Sequence, residues 1–485
     1  MRKRTLALLL ALLLLAGSAV SCGTNGSGTP AETEQTGTET GEERTAAVRS
    51  LSELPDDLDF KDADFVVASR GTNCSVNQEE ITGEGTLDAT YNRNRMAEDK
   101  LKVKISDIKS EDTKLEAMLT SVKAGERLYS AGLTHITAMK NYLLDGYFMD
   151  TENVPYLDLT KPYWYETAVD SLELSGRQYL FLGDICIQDS AWLTCIFFNK
   201  EMMEDLGLGS PYEPLKEGSW TFDRFTADTA AAARDLNGDG RWDWSIDQFG
   251  ATNLYAPLGG FYNAMGQLSV IRNDDGTLAF NLGCEASVNA LMKLAGWVHS
   301  GCDTYLLDVE RVDSGDPFGD LVNVFVSGRA LFHIGTVATT SDMRDMEQPF
   351  GILPMPKYDE RQERYITSTQ DWAQCVYGVS IGAPDVAMAG AVLEYLGGLS
   401  TDTVRAAYYD KSLKRKLSRD QESAVTLDIL FDNMVTDTGF SYFGLRSMVE
   451  DMAKSGTVSS KLQSIEKSTN KTIKTSEKII AKLDY

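Results

Sequence analysis

Histidine and cysteine are scarce in this sequence. Its three histidines, His135, His299 and His333, stand far apart, no C-x-x-C occurs, and seven cysteines are few for 485 residues. A structural or catalytic zinc needs Cys and His at ligand spacing, and a disulfide scaffold needs them dense, so neither class fits. His333, on an apolar strand, reads as a core histidine rather than a ligand. After the first 22 residues nothing reaches the run of about 20 apolar residues that a membrane-crossing helix requires. H-E-x-x-H and the P-loop are absent. So is any self-similarity at the periods of repeat architectures. Basic residues are outnumbered, giving a net charge of −26, which disfavours nucleic acid and anionic lipid as partners of the surface as a whole.

What is present begins with a leader. Arg2, Lys3 and Arg4 precede the apolar run from Leu6 to Ala16, and small residues lead to Ala19-Val20-Ser21-Cys22. That is the layout of a secretory signal. The cysteine directly after small residues resembles the bacterial lipobox, with Ala19 where leucine is usual. The resemblance implies acylation of Cys22, a mature chain starting there, and a lipid-anchored body on the outer face of the cell membrane. Residues 23–57 form a Gly/Ser/Thr/Glu-rich tether without enough apolar surface to order. A flexible coil of that length reaches about 30 Å. Export permits disulfides. Cys186 and Cys195 are candidates to pair across adjacent strands. Cys284 and Cys302 flank a helix about 22 Å long and cannot bridge.

The body alternates apolar strands with amphipathic helices, which indicates α/β units with a mostly parallel sheet. Strands are expected at 64–69, 103–108, 191–198, 330–334, 350–354 and 375–381. Helices are expected at 87–101, 113–124, 201–206, 221–236, 285–299 and 317–328. In the first of these helices Leu87, Tyr91, Met96 and Leu101 recur at roughly helical spacing. Past Pro384 the chain reads as nearly all helix, ending in an amphipathic segment with Val458, Leu462, Ile465, Ile473 and Ile480 on one side.

Six segments, in order, resemble the family-1 extracellular solute-binding proteins of bacterial ABC importers. They are Thr194-Cys-Ile-Phe-Phe-Asn199-Lys200, Gly218-Ser-Trp220-Thr-Phe222-Asp223, Asp235 to Asp243 with Phe249-Gly250, Phe325 to Phe332, Phe350-Gly-Ile-Leu-Pro354-Met-Pro356, and Gly378 to Ala383 with its following helix. Each alone is weak; together they span about 400 residues. The resemblance implies a two-lobed periplasmic-binding-protein-like α/β fold of type II. Three interlobe crossovers are then expected, near 191–198, 330–337 and 372–381. The first lobe would comprise 58–192 plus 335–374, and the second 195–333 plus 380–485, with a helical C-terminal region. A small solute, expected to be a mono- or oligosaccharide, would sit in the cleft, and a monomeric, non-catalytic receptor would pass it to the permease subunits.

A sugar site needs aromatic platforms with a few polar groups at their rims. Trp372 with Asp371 lies at the third expected crossover and Trp192 at the first. Tyr255, Phe261 and Tyr262 occupy a Gly/Pro-broken loop. Arg70 ends the first strand, where open α/β sheets place ligands. Trp220 and Phe222 are read as helix anchors in the core.

The clearest metal signal is the loop from Asp235. Asp235, Asn237, Asp239 and Asp243 offer side-chain oxygens and Arg241 its carbonyl, at the alternating positions of an EF-hand, which suits a structural Ca²⁺. Position 12 is Ile246 instead of a bidentate glutamate, and Asp247 is the nearest substitute. Two rival functions stay open. One is an exported carbohydrate-active hydrolase, for which no motif marks a carboxylate pair. The other is the ligand-binding partner of a membrane sensor.

Overall fold

The computed structural model describes residues 54–483 apart from 72–73, 111–114, 254–256, 300–305, 309–310, 344–345, 371–372 and 410–420. The leader, Cys22 and nearly all of the tether therefore lie outside the described residues.

The first sheet is built from βα units. Strands β1 (Ala63–Arg70), β2 (Val103–Ser110) and β3 (Ala131–His135) are parallel, with helices α1 (Gly85–Leu101) and α2 (Glu116–Lys123) between them and α3 (Ile136–Leu144) following. Helices α4 (Glu166–Leu172) and α5 (Gln188–Ala191) lead to the second sheet. That sheet contains β4 (Thr194–Asn199), β5 (Phe249–Asn253), β8 (Leu306–Asp308), β9 (Ala330–Thr336) and β10 (Phe350–Leu353), ordered β10-β4-β9-β5-β8. The helices interspersed with its strands are α6 (Lys200–Asp205), α7 (Tyr212–Lys216), α8 (Phe222–Ala232), α9 (Pro257–Ala264), α10 (Glu285–His299) and α11 (Pro317–Val326), and a hairpin of β6 (Val270–Arg272) and β7 (Leu278–Phe280) stands apart.

The chain then returns through β11 (Thr367–Ser368) to β12 (Cys375–Val379), which pairs antiparallel with β3 and gives the first sheet the order β12-β3-β1-β2. The rest is α12 (Val386–Ser400), α13 (Gln421–Asp432), β13 (Met434–Val435), α14 (Thr438–Phe443), α15 (Leu445–Ser455) and α16 (Val458–Ile480).

Local chemistry explains the boundaries. Strands β3, β4, β5, β9 and β12 are buried at every residue whose burial is described, as expected when helices cover a sheet on both faces. The Phe198-Asn199-Lys200 element is a strand end followed by a helix cap, because the Asn199 side chain accepts from the Met202 N–H. Thr221, Asp316 and Asp385 cap α8, α11 and α12 in the same way. Gly250 is required by contact. A Cβ there would lie 2.0 Å from the Thr229 carbonyl oxygen, where α8 crosses β5. Trp220 and Phe222 are wholly buried, and Trp220 Nε1 donates to the Pro354 carbonyl at 2.9 Å. Truncating such an aromatic costs about 3–5 kcal/mol.

Several expectations are corrected. Helix α1 forms, but Leu87 (42 % exposed) and Met96 (49 %) face solvent, while Arg93, Asn94, Ala97 and Leu101 face the core. Buried polar groups with full hydrogen bonding replace the apolar stripe. The helix expected at 221–236 stops at Ala232, because Arg234 pairs with Gln248 to close the following loop. Residues 188–191 form helix α5, so β4 starts at Thr194. Segment 330–337 is not a passage between sheets: β9 pairs with β4 and β5 inside the second sheet. Residues 350–353, grouped by sequence with the first lobe, pair with β4. Residues 386–400, grouped with the second, lie against α1, β1 and β12 of the first sheet, whereas α13 lies against β10. Periodicity reports that a strand exists, and the choice of sheet is made by long-range pairing that it does not encode.

The disulfide expectation also changes. Cys74 is bonded to Cys375, 301 residues later, and Cys186, Cys195 and Cys284 are free. Burial pushes the Cys186 thiol up to about 12, so neither it nor the still higher Cys195 is a reactive thiolate. Cys302 lies outside the described residues. Among those described, no helix is long and apolar enough to cross a membrane.

Candidate functional site

The parallel strands β1 and β3 end at Arg70 and His135, and β12 starts at Cys375 directly opposite His135. Carboxyl ends of parallel strands are where α/β sheets hold ligands. Arg70 is half-buried there, with Nη1 3.0 Å from His135 Nδ1 and 2.5 Å from Nε2. Burial and the neighbouring Arg70 cation pull the His135 pKa down to about 4, so the ring is neutral near pH 7. Ligand atoms of Cys74, His135 and Cys375 lie within 4.8 Å of one another. Both sulfurs are committed to the disulfide and are not available as thiolate ligands.

From this edge a polar seam runs to the second sheet. Asp189, in α5, is fully buried, and its Oδ1 accepts from the Cys375 N–H at 2.8 Å. Its Oδ2 has no hydrogen-bond partner among the described residues. Burial holds this carboxyl well above the usual carboxylate range and favours the neutral acid. Leu193 bridges Thr369, and Gln370 Nε2 donates to Thr194 Oγ1 at 3.2 Å. Arg446 donates to Gln370 Oε1, and Gln374 Nε2 donates to Thr436 Oγ1 at 2.6 Å. Residues 367–375 are thus bonded both to the entry of β4 and to the segment around β13. None of Asp189, Gln370, Gln374 or Arg446 was foreseen. Only the position of these segments before β4 and β12 could have drawn attention to them.

The expected ligand residues separate into groups. Trp192 is half-buried at the C-cap of α5, one residue from the Leu193–Thr369 bridge. Asp371, Trp372 and Tyr255 lie outside the described residues, though the flanking Gln370 and Ala373 are buried in the seam. Arg70 is tied to the same region through Cys74–Cys375. Arg70, against His135, and Trp192, at the C-cap of α5, thus each border the seam. Phe261 and Tyr262 do not join them. Both are wholly buried in the main hydrophobic core, Phe261 edge-on to Phe222 at 5.1 Å and Tyr262 Oη 2.8 Å from Ser287 Oγ. Their loop is in fact the helix α9, which turns them inward.

The Asp235 loop is exposed and folded by its own carboxylates. Asp235 accepts from the Gly238 and Gly240 N–H groups at 2.7 and 2.8 Å, Asn237 Oδ1 from Asp239, Asp239 from Arg241, and Asp243 from Ser245. Asp247 is not a substitute twelfth ligand. It is fully buried, and its two oxygens accept from the Leu236 and Asp243 N–H groups at 2.9 and 2.7 Å. The loop lacks the bidentate carboxylate that completes an EF-hand shell, and among the described residues its carboxylates do not form a group of three with ligand atoms within 4.8 Å of one another.

The pentapeptide Gly378-Val379-Ser380-Ile381-Gly382 spells G-x-S-x-G. Ser380 is nonetheless fully buried, and its hydroxyl accepts from the Gly382 N–H. His135 stands at the opposite end of β12. No nucleophile–base pair forms. His333 is a core histidine, with Nδ1 2.7 Å from Thr252 Oγ1.

No family model matches the sequence, and no curated protein does. Solved structures match its fold. A cyclic α-maltosyl-1,6-maltose binding protein from Arthrobacter globiformis aligns with a TM-score of 0.57 at 14 % identity, over 85 % of this chain and 100 % of its own. UspC from M. tuberculosis aligns at 0.53 and 15 %, over 84 % and 99 %. An ABC substrate-binding protein from Listeria monocytogenes, solved with cycloalternan, aligns at 0.52 and 15 %, over 85 % and 99 %. The fold is that of the ABC-importer solute-binding proteins, mixed α/β with two separate sheets and a helical C-terminal region.

Proposed function

We propose that this chain is an exported, non-catalytic receptor that captures a saccharide between its two sheet-centred halves and hands it to an ABC importer. The observation that carries the reading is coverage: one binding-protein fold accounts for 84–85 % of the chain and nearly the whole of each of these relatives. The polar seam between the sheets supports it further. Hydrogen-bonded segments running between two halves are the kind of element about which they hinge over a ligand. In this reading Arg70 and Trp192 contact the solute together with Asp371 and Trp372, and Tyr255 reaches in from the second half. The relatives named for cycloalternan and for cyclic α-maltosyl-1,6-maltose make oligosaccharides of glucose the first class to test. Acylated Cys22 would hold the monomeric receptor on the outer membrane face beside its permease. A Ca²⁺ in the Asp235 loop would be structural.

The test is a thermal-shift screen of neutral oligosaccharides, uronates and peptides on the full mature chain. A ligand at 100 times its Kd contributes about 2.7 kcal/mol. With unfolding entropy of about 2.1 cal/mol/K per residue, that raises Tm by roughly 3 °C. We expect a neutral oligosaccharide to give this shift and to be recovered uncleaved. Cleavage at enzyme-like rates, or shifts from peptides alone, would overturn the proposal.

A further inference from the structure

Helix α16 carries charge of the sign that the rest of the chain lacks. The chain has 72 acidic and 46 basic residues, yet residues 458–482 hold six lysines and two glutamates. At 3.6 residues per turn, Lys467, Lys471, Lys474 and Lys478 fall within an arc of about 60°, along roughly 17 Å of helix. All four are exposed, and Lys482 extends the row just past the helix end. The opposite face, Val458, Leu462, Thr469, Ile473, Ser476 and Ile480, is buried. The stripe is therefore fixed outward by packing.

These lysines are not spent inside the molecule. Only Lys461 is paired, with Asp451, and no carboxylate lies at ion-pair distance from the other five among the described residues. The nearby acids are engaged elsewhere. Glu477 accepts from the Leu278 N–H, and Asp275, across a 400 Å³ groove lined by Lys474 and Lys478, accepts from Thr277. Glu466 lies about 100° round the helix from Lys467.

We propose that this lysine face docks on the anionic headgroups of a membrane surface. Lysines close to such a surface are attracted additively, and the attraction falls within a Debye length. The acidic remainder is repelled by the same surface, so the asymmetry sets one orientation. A tether reaching about 30 Å from an acylated Cys22 keeps that surface always in range. The interaction does not depend on what the solute site holds.

The chain carrying Cys22→Ser, processed at the leader, is sedimented with vesicles of phosphatidylcholine alone or with about 40 % phosphatidylglycerol. At about 25 mM salt we expect binding about tenfold stronger to the anionic vesicles, lost at about 250 mM. The quadruple Lys467→Gln, Lys471→Gln, Lys474→Gln, Lys478→Gln variant falls to the neutral-vesicle level, and Lys474→Glu alone weakens binding about threefold. Lys104→Gln with Lys109→Gln, exposed on β2, leaves it unchanged. Equal binding to both vesicle types, or full binding by the quadruple variant, overturns the proposal. An acidic protein as the occupant would produce the first of those results.

Discussion

Arg93→Met should lower the melting temperature by about 4 °C, and the structure supplies the arithmetic. Arg93 is wholly buried in α1 without a carboxylate partner, and burial pulls its pKa down to about 10, so it stays charged at pH 7. Nε and Nη2 donate to Asn94 Oδ1 at 3.0 and 2.8 Å, Nη1 to the Ile185 carbonyl at 2.9 Å and Ser400 Oγ at 3.0 Å, and Nη2 also to the Val76 carbonyl at 2.7 Å. Methionine fills the volume and makes none of these bonds. Val76 O keeps Asn94 Nδ2, and Ser400 Oγ keeps the Leu396 carbonyl. The Ile185 carbonyl and Asn94 Oδ1 lose their Arg93 donors. Each stranded acceptor costs about 1–3 kcal/mol, together about 4. The compact unit Ala47–Tyr485 unfolds with an entropy near 0.9 kcal/mol/K, so Tm falls by about 4 °C. Arg93→Lys, with three donors on a compact head, should recover less than half of the loss. Differential scanning calorimetry at pH 7 decides it. A methionine variant within 1 °C of wild type, or a lysine variant equal to it, refutes the view that these bonds hold α1 to α12 and to the segments at Val76 and Ile185.

Three further outcomes follow from the same reasoning. Cys74→Ala with Cys375→Ala opens a loop of 301 residues and should cost about 5 kcal/mol, read as a Tm about 5 °C lower, while reducing the denatured wild type should expose two alkylatable cysteines that the variant lacks. His333 has its pKa pushed down to about 3 by burial. Its stabilising contribution is therefore present above the unfolded value near 6.5 and is lost as pH falls below it. By pH 5 that amounts to about 2 kcal/mol, so the Tm gap between wild type and His333→Gln should shrink by about 2 °C from pH 7 to 5. The buried Asp189 and Asp437, raised by burial, shift stability the other way equally in both proteins. Ca²⁺ should raise the wild-type Tm over EDTA and leave Asp235→Ala with Asp239→Ala unmoved; a wild type indifferent to Ca²⁺ removes the ion from the loop.

The elements were legible in sequence because burial on both faces imposes apolar runs, and because Asn199, Thr221 and Asp385 cap the helices that follow them. Their assembly was less so. Nothing in Phe350–Leu353 says that it will pair with β4 rather than with the first sheet. Arg70 and Trp192 sit at strand and helix ends, a position sequence can mark. The seam's Asp189, Gln370 and Gln374 are ordinary polar residues whose importance lies in partners 62 to 186 positions away. Phe261 and Tyr262 misled because a Gly/Pro-rich stretch resembled a loop and folded as α9. Cys74 and Cys375 could not be matched for the same reason as the strands: separation in sequence conceals contact.

That β12 closes the first sheet has a consequence for biogenesis. When a chain leaves the cell amino end first, β1, β2 and β3 emerge long before Cys375–Val379 can cover the free margin of β3. During that interval His135, Leu133 and Ala131 present an uncapped ladder open to any other strand. Late arrival of the sealing segment makes the nascent first half slow to complete and dependent on being kept apart from its neighbours. A product ending before residue 375 should accumulate as aggregates or be degraded, even though it contains three of the four strands of its sheet.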